Sequence, residues 1–231
     1  MVIKPIGDSS TAIKYFEPAL AGCMLHVTDE QVFAWNRIKE EVSAKHTKID
    51  DKRVCVWMKK LTNDLDSILP LVRFQSAART WRVKRGDFGT ELKKKLDDRR
   101  CGYIGCLDSS MDVKSIQQWC IKQELMMSNK GTVREYEMFK NIVASIMKEI
   151  NELDEIPSIY YSSQFEELVY KDDKTEIPIS KLSAGYQSLL WMIMDLAYRV
   201  CLLNPELESR EQVTGIVLID EIDLHLHPKW Q

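Results

Sequence analysis

The sequence predicts an α/β fold built around a parallel sheet, and two apolar segments carry that prediction. Residues 215–219 form an uninterrupted apolar run, which is typical of a strand buried on both faces. A nearly all-apolar helix precedes this strand and follows Ser183. A second compact apolar run at residues 67–74, entered through Pro70, predicts another strand of the same sheet. This order of strands and helices is typical of open α/β sheets.

The composition fits a protein with a full hydrophobic core. The chain has 231 residues, 45% of them hydrophobic, and a net charge of −3 from 32 basic and 35 acidic residues. No overall positive field is available for a polyanion, so any contact with nucleic acid would be local. The six cysteines form no CxxC pair, which indicates reduced thiols in a cytoplasm. Asp195 and Arg199 interrupt the longest apolar stretch, so no membrane span is predicted.

Further elements are predicted from the spacing of apolar residues. A spacing of three to four residues between apolar positions predicts four helices. The first is expected over residues 29–46, with Thr28 as its cap, and the others over 51–66, from about 112, and over 132–152. Alternation over residues 157–179 predicts two or three short strands. We therefore assign three parts: an N-terminal part of the core (1–75), a mostly helical insertion (76–156), and a C-terminal part of the core (157–231).

Two adjacent carboxylates, Asp220 and Glu221, end the strand at residues 215–219. Open parallel sheets bind ligands outside the carboxyl ends of their strands. Side chains of successive strand residues diverge, so Asp220 can hold a magnesium-bound water while Glu221 polarises the water that attacks a γ-phosphate. This Walker B pattern predicts Glu221 as the catalytic base and Asp220 as the magnesium ligand of an ATPase. The alternative is a strand that merely ends in two acidic turn residues.

Residues 182–188, Leu-Ser-Ala-Gly-Tyr-Gln-Ser, resemble the LSGGQ-type signature of ATP-binding-cassette ATPases. Ser183 can cap the helix that begins near Ala184, and Gly185 lets a backbone approach a ligand closely. Oriented N–H groups and the Ser183 hydroxyl would bind a γ-phosphate at this helix N-terminus. The alternative is an ordinary serine cap with a glycine nearby. The segment precedes Asp220 in the order found in cassette ATPases, so the signature is the favoured interpretation.

Gln75 follows the predicted strand at residues 67–74, where cassette ATPases carry a lid-loop glutamine. It is therefore a candidate ligand for magnesium or for the attacking water of a bound nucleotide. A lone glutamine is a weak signal, and an exposed turn residue is the favoured interpretation.

Asp223, His225 and His227 follow the two carboxylates. We expect Asp223 to be the acidic dimer contact of a D-loop, with His227 shaping the turn beside it. A zinc site is the alternative, but His26 and His46 are the only other histidines, and a closed site lacks convincing ligands.

The same segments resemble a known group of proteins. Residues 99–108, 182–205 and 215–231 are similar to predicted ATP-binding proteins of the AAA-21 type, in the RecF/SMC branch of cassette ATPases. The resemblance is strongest to the ATPase subunit of Septu-type anti-phage systems. It implies a P-loop NTPase fold of ABC/SMC type, with ATP and Mg²⁺ as cofactors. It also implies a homodimer closed around two ATPs, a nuclease partner subunit, and nucleic acid as a candidate ligand.

The printed sequence departs from this family at one motif. No Gly-x-x-x-x-Gly-Lys-Ser/Thr phosphate loop occurs within residues 1–231, so the central sheet is predicted to be incomplete. The loop is expected to precede residue 1, and the later strands and switch histidine to follow Gln231. The sequence is then a truncated product or a fragment, and residues 1–231 alone are expected to be inactive.

Two other classes of function remain open at this point. The first is a non-catalytic module that pairs with an intact ATPase and contributes only its signature face. The second is a metal-dependent nuclease that uses the carboxylates and histidines of residues 220–227.

Overall fold

The computed structural model describes residues 18–27, 29–41, 44–77 and 98–221, which divide between two compact units, Met1–Ser67 and Ile68–Gln231. The first unit contains an antiparallel three-stranded sheet and one helix. Its elements in chain order are β1 (Ala19–His26), β2 (Val32–Lys39), β3 (Lys48–Ile49) and α1 (Arg53–Asn63). The predicted helix over residues 51–66 is confirmed as α1.

The predicted helix over residues 29–46 is wrong, because this segment contains strand β2. β2 pairs antiparallel with β1 from Val32 opposite His26 to Lys39 opposite Ala19. β2 is rich in β-branched and aromatic residues, which fit a pleated surface better than a helix. The Phe33 ring lies 5.4 Å from the Trp57 ring of α1, a contact between the sheet and the helix. The proposed cap, Thr28, lies outside the described residues.

Among its described residues, the second unit holds two further sheets and three α-helices. Its helices and strands in chain order are β4 (Leu71–Gln75), α2 (Val113–Lys130), α3 (Arg134–Asn151), β5 (Ser158–Ser162), β6 (Glu167–Lys171), β7 (Glu176–Pro178), α4 (Ala184–Leu203) and β8 (Gly215–Ile219). These bounds confirm the strand predicted near residue 70, the helices predicted near 112 and 132, and the strands predicted over residues 157–179. The predicted insertion at residues 76–156 contains α2 and α3, and its role as an insertion stays a prediction.

Helix α4 is the centre of the second unit. Strand β4 packs against it, as do helices α2 and α3, and most of its residues are buried. A helix that is apolar on all sides is buried by other elements in a folded protein, because its apolar faces are unfavourable in water. The ring of Trp119 on α2 meets Tyr136 and Phe139 of α3 and Tyr198 of α4 edge-on, at centroid distances of 5.2 to 5.8 Å. Such edge-to-face contacts stabilise the three-helix packing beyond area burial alone.

Strands β4 and β8 pair in parallel, from Leu71 opposite Gly215 to Gln75 opposite Ile219. The predicted parallel sheet is therefore present in the described residues as these two strands. β8 was predicted to be buried on both faces, and that prediction is wrong, because Ile216 and Leu218 are 63% and 57% exposed. In the part of the chain that the structure describes, β8 has β4 as its one strand neighbour.

The polar side chain of Asn204, at the end of α4, joins that helix to the start of β4. Its Oδ1 atom accepts from the Leu69 backbone N–H at 2.7 Å, and its Nδ2 atom donates to the Leu69 carbonyl at 3.1 Å. The Arg99 Nε atom also donates to the Leu203 carbonyl at 2.6 Å. These bonds satisfy buried backbone groups that would otherwise destabilise the fold.

A glycine at the start of β8 is required by the closeness of β4. An added Cβ atom on Gly215 would collide with the Leu71 carbonyl oxygen and lie 2.8 Å from the Leu71 Cβ. Gly215→Ala should therefore separate the two strands and lower the free energy of unfolding by about 1–3 kcal/mol. Urea denaturation measures the loss, and Thr214→Ala, one residue earlier and exposed, is the matched control. Equal midpoints for the two variants would contradict the close approach.

Among the described residues, no helix combines enough length with enough apolar character to cross a bilayer.

Candidate functional site

The carboxyl ends of β4 and β8 meet at one edge of the parallel pair. Gln75 and Ile219 are paired residues, and the Asp220 backbone N–H donates to the Gln75 carbonyl at 2.8 Å. This hydrogen bond extends the parallel ladder by one step and fixes where β8 gives way to Asp220. The predicted Walker B carboxylates therefore begin at the edge where open parallel sheets bind ligands.

Glu221 has an unusual backbone conformation. Its φ angle is +48°, in the left-handed region that non-glycine residues rarely adopt. Such conformations cost on the order of 1–3 kcal/mol and concentrate at functional sites. Both Asp220 and Glu221 are exposed, so the pair can meet a ligand from solvent. The left-handed backbone at Glu221 follows directly on the end of β8 at Ile219.

Gln75 is not the exposed turn residue that the sequence favoured. It is the last residue of β4 and is 0% exposed. Alternation along the strand explains this burial, because Leu71, Arg73 and Gln75 share the face on which α4 packs. The Gln75 Nε2 atom donates to Asp195 Oδ2 at 2.9 Å.

The Gln75 Oε1 atom is buried and has no hydrogen-bond partner among the described residues. An unsatisfied buried acceptor costs about 1–3 kcal/mol and is rare in folded proteins. Magnesium prefers hard oxygen ligands such as carboxylate and amide oxygens, and it keeps several bound waters. The Gln75 amide oxygen and the exposed Asp220 carboxylate are both oxygen donors of the kind that Mg²⁺ binds, and they belong to residues at the carboxyl ends of neighbouring strands.

Ser183 caps α4 as the sequence predicted. Its Oγ atom accepts from the Tyr186 backbone N–H at 3.3 Å, and its carbonyl accepts from Gln187 N–H at 2.9 Å. The Gln187 side chain donates back to the carbonyls of Ser180 and Leu182, at 3.0 and 2.7 Å. Ser183 itself is exposed. The segment is thus a rigid helix start whose N-terminal groups face solvent.

Tyr186 anchors the signature segment to the rest of the second unit. Its hydroxyl accepts from Asn151 Nδ2 at 3.1 Å, at the end of α3. Its ring meets the Tyr170 ring of β6 edge-on, with centroids 5.4 Å apart. Burial raises the pKa of the Tyr186 hydroxyl, so this group is neutral near pH 7. Helix α3 and the small antiparallel sheet therefore hold the start of α4 in place.

The two halves of the predicted site lie far apart within the chain. Asp195 contacts Gln75, whereas Ser183 lies twelve residues earlier on the same helix, which corresponds to about 18 Å along its axis. Helix α4 therefore does not bring Ser183 and Gly185 close to the residues at the carboxyl edge. Such a separation is what a signature that acts on a second subunit requires. Asp223, His225 and His227 lie outside the described residues.

Within residues 18–27, 29–41, 44–77 and 98–221, no group of three histidine, cysteine or carboxylate side chains is placed to hold a metal ion. The nuclease alternative depends on Asp223 and the two histidines, so the described residues do not test it.

A buried charge cluster around Asp195 was missed by sequence reasoning. Arg73 donates to Asp195 Oδ2 at 2.6 Å and Arg199 donates to Oδ1 at 3.2 Å. The sequence contained two signals: an aspartate and an arginine one helical turn apart in an apolar helix, and an arginine within an apolar strand. The first was used only to exclude a membrane span. We define Arg73, Gln75, Asp195 and Arg199 as the Asp195 cluster.

The parallel pair and the helix that packs on it define an α/β domain. The chain belongs to the AAA ATPase domain family AAA_15, whose model matches residues 20–231. This membership gives it the α/β fold of P-loop NTPases, and members of the family use ATP and Mg²⁺. The sequence motifs predicted the AAA-21 type. The predicted resemblance to Septu ATPases is confirmed by similarity to a Septu protein.

Curated proteins of similar sequence include two retron ATPases and a Septu protein. A retron Vc95 probable ATPase from Vibrio cholerae serotype O1 biovar El Tor is 26% identical over 261 aligned residues, which cover 90% of this chain. A retron Ec83 probable ATPase from Escherichia coli is 46% identical over 65 residues, covering 28% of this chain and 12% of the relative. The Septu protein PtuA from Bacillus thuringiensis is 33% identical over 69 residues, covering 28% and 17%. The chain spans 50% of the length of the Vc95 relative.

Proposed function

We propose that the protein is an ATPase of ABC/SMC type that hydrolyses ATP at the carboxyl edge of β4 and β8. The observation that carries this proposal is the Asp220 N–H bond to the Gln75 carbonyl, 2.8 Å long. It brings a Walker B carboxylate pair and the glutamine of the neighbouring strand to one end of a parallel sheet. The non-catalytic alternative does not account for the left-handed Glu221 at that edge.

Each residue has a separate role in this proposal. The Asp220 carboxylate would hold Mg²⁺ through a bound water, and the ion would supply positive charge opposite the β- and γ-phosphates. Glu221 accepts a proton from the attacking water, which therefore approaches the γ-phosphate as a stronger nucleophile. The Gln75 amide oxygen is a further acceptor for the ion or for one of its waters.

An ATPase of this type also needs a phosphate loop, whose lysine and backbone N–H groups cradle the β- and γ-phosphates. The exposed apolar side chains of Ile216 and Leu218 support a further strand or covering element beside β8, because such a surface is otherwise unfavourable in water. Ser183 and Gly185 then meet the γ-phosphate that a second copy of the protein holds.

We further propose that the ATPase acts in anti-phage defence and regulates an effector subunit such as a nuclease. Its relatives named as retron ATPases and as the Septu protein PtuA support this assignment. Closure of the dimer around ATP would be the signal passed to the effector. Nucleic acid is a candidate ligand of the assembled complex rather than of this domain alone.

Asp220→Asn tests the proposed magnesium site in the full-length protein. The amide keeps the shape of the side chain but loses the negative charge that attracts the cation. We expect the Mg²⁺ concentration for half-maximal nucleotide binding to rise by about 10-fold or more. Glu149→Gln, an exposed carboxylate on α3, is the matched loss of charge and should leave that concentration unchanged. The same magnesium dependence in wild type and Asp220→Asn would exclude Asp220 as the anchor.

A further inference from the structure

The Asp195 carboxylate, on the signature helix α4, is 2% exposed and accepts hydrogen bonds from three side chains. Its Oδ2 atom accepts from Arg73 Nε at 2.6 Å and from Gln75 Nε2 at 2.9 Å. Its Oδ1 atom accepts from Arg199 Nε at 3.2 Å. Two of these donors come from β4, so a single carboxylate joins the signature helix to the strand that ends in Gln75.

The two arginines are themselves fixed by backbone carbonyls of one segment, residues 102–110. Arg73 Nη1 donates to the carbonyls of residues 105, 106 and 108, at 2.9 to 3.2 Å. Arg199 Nη1 donates to the carbonyls of Gly102 and Ile104, at 2.8 and 3.0 Å. Each guanidinium group is thus held both by Asp195 and by backbone carbonyls. The Asp195 carboxylate lies between two immobilised cations and is immobilised with them.

This arrangement determines the orientation of the Gln75 amide. An ionised carboxylate only accepts hydrogen bonds, so the amide nitrogen of Gln75 must face Asp195. The amide oxygen is then directed away from Asp195, and it is the atom without a partner among the described residues. Arg73, which could donate to an oxygen, is already committed to Asp195 and to the 102–110 segment. No rotation of the amide would therefore improve its hydrogen bonding with the cluster.

We propose that Asp195 is a positioning residue for Gln75, which fixes the amide so that its oxygen is offered to the divalent cation at the edge of β4 and β8. This proposal rests on the proposed ATPase function. Asp195 does not touch the cation and acts through Gln75 alone. Because Asp195 and Ser183 lie on one helix, the orientation of Gln75 is also tied to the position of the signature segment. The cluster therefore connects the magnesium half of the site to the half that faces a second subunit.

The test is the magnesium dependence of ATP turnover in the full-length protein. Asp195→Asn places an amide opposite the Gln75 amide and removes the preference for one orientation of Gln75. We expect the Mg²⁺ concentration for half-maximal turnover to rise by about 10-fold, as for the loss of other groups that orient a metal ligand. Gln75→Ala should raise it by a similar factor. In the Gln75→Ala background, Asp195→Asn should then cause no further rise in this Mg²⁺ concentration, because Asp195 acts only through Gln75.

Val200→Ala is the matched control on the same helix. Val200 is buried on α4 and is not a member of the Asp195 cluster, so its truncation should lower stability and leave the magnesium dependence unchanged. An equal shift in Val200→Ala and Asp195→Asn would show that general loosening is the cause and would overturn the positioning role. Additive shifts in the double variant would overturn it as well.

A measurement on the unmodified protein covers the case in which Asp195→Asn fails to fold. With ¹⁵N-labelled glutamine, the Gln75 side-chain amide resonance is assigned from its loss in Gln75→Ala. We expect slow exchange of its protons with water and a shift of the resonance when Mg²⁺ and ATP are added. Rapid exchange, or an unmoved resonance in a protein whose turnover needs Mg²⁺, would overturn the proposal. A wild-type protein without ATP turnover would contradict the proposed function itself.

Discussion

Replacing Glu221 with glutamine is expected to lower ATP turnover of the full-length protein by about 100-fold or more, the contribution typical of a general base. The amide has the size of the carboxylate but cannot accept the proton of the attacking water. Asp220 is unchanged, so magnesium and ATP should still bind with nearly wild-type affinity. Steady-state phosphate release measures the first effect and calorimetry with ATP measures the second.

A longer-lived dimer should accompany this loss of turnover. ATP that binds without hydrolysis keeps the two subunits closed, so sedimentation with ATP should detect more dimer for Glu221→Gln than for wild type. Unchanged turnover would remove Glu221 as the base. A loss of ATP binding along with turnover would instead indicate that Glu221 supports the left-handed turn after β8 and has no separate chemical role.

Replacing Ser183 with arginine is expected to abolish ATP-driven dimerisation while each subunit still binds ATP. Ser183 is exposed at the start of α4, so a long side chain there would occupy the space of a phosphate held by the second subunit. Ser180→Arg is the matched control, since it places the same side chain on an exposed residue before the cap. Light scattering with and without ATP distinguishes the two variants.

Mixing two inactive variants tests whether the signature acts on the other subunit. In a dimer of Ser183→Arg with a phosphate-loop lysine variant, one composite site carries both changes and the other carries neither. Turnover should therefore return in the mixture to a fraction of the wild-type rate. If the mixture stays inactive while a mixture of wild type and Ser183→Arg retains single-site turnover, the role in a second subunit is excluded. Ser183 would then be a helix cap alone.

Sequence periodicity was sufficient for much of the fold of the second unit. The helices near residues 112 and 132, the Ser183 cap and the strand before Asp220 follow from local patterns, since each depends on residues close in sequence. The segment at residues 29–46 was misread because its apolar residues fit a helical stripe, while its pairing with β1 depends on a neighbouring strand.

The site was less accessible to sequence reasoning than the fold. The order of the carboxylates and the signature was readable, since both are short motifs. The burial of Gln75 was not, because it results from the packing of α4 on β4, and nothing near Gln75 in sequence reports that contact. The Asp195 cluster joins residues from two distant segments, β4 and α4. The pair Asp195 and Arg199, one helical turn apart, and the arginine within an apolar strand were its local traces.

The parallel pairing of β4 with β8 also has a consequence for how the protein is made. Nearly the whole second unit lies between the two strands in sequence, so their contact closes a very long loop and should form late in folding. The helices and the β5–β7 sheet involve nearer partners and can form first. During synthesis, domains generally fold as their residues emerge from the ribosome. The nascent chain should therefore gain its helical core before Asp220 emerges from the ribosome, and it should become competent for catalysis only afterwards.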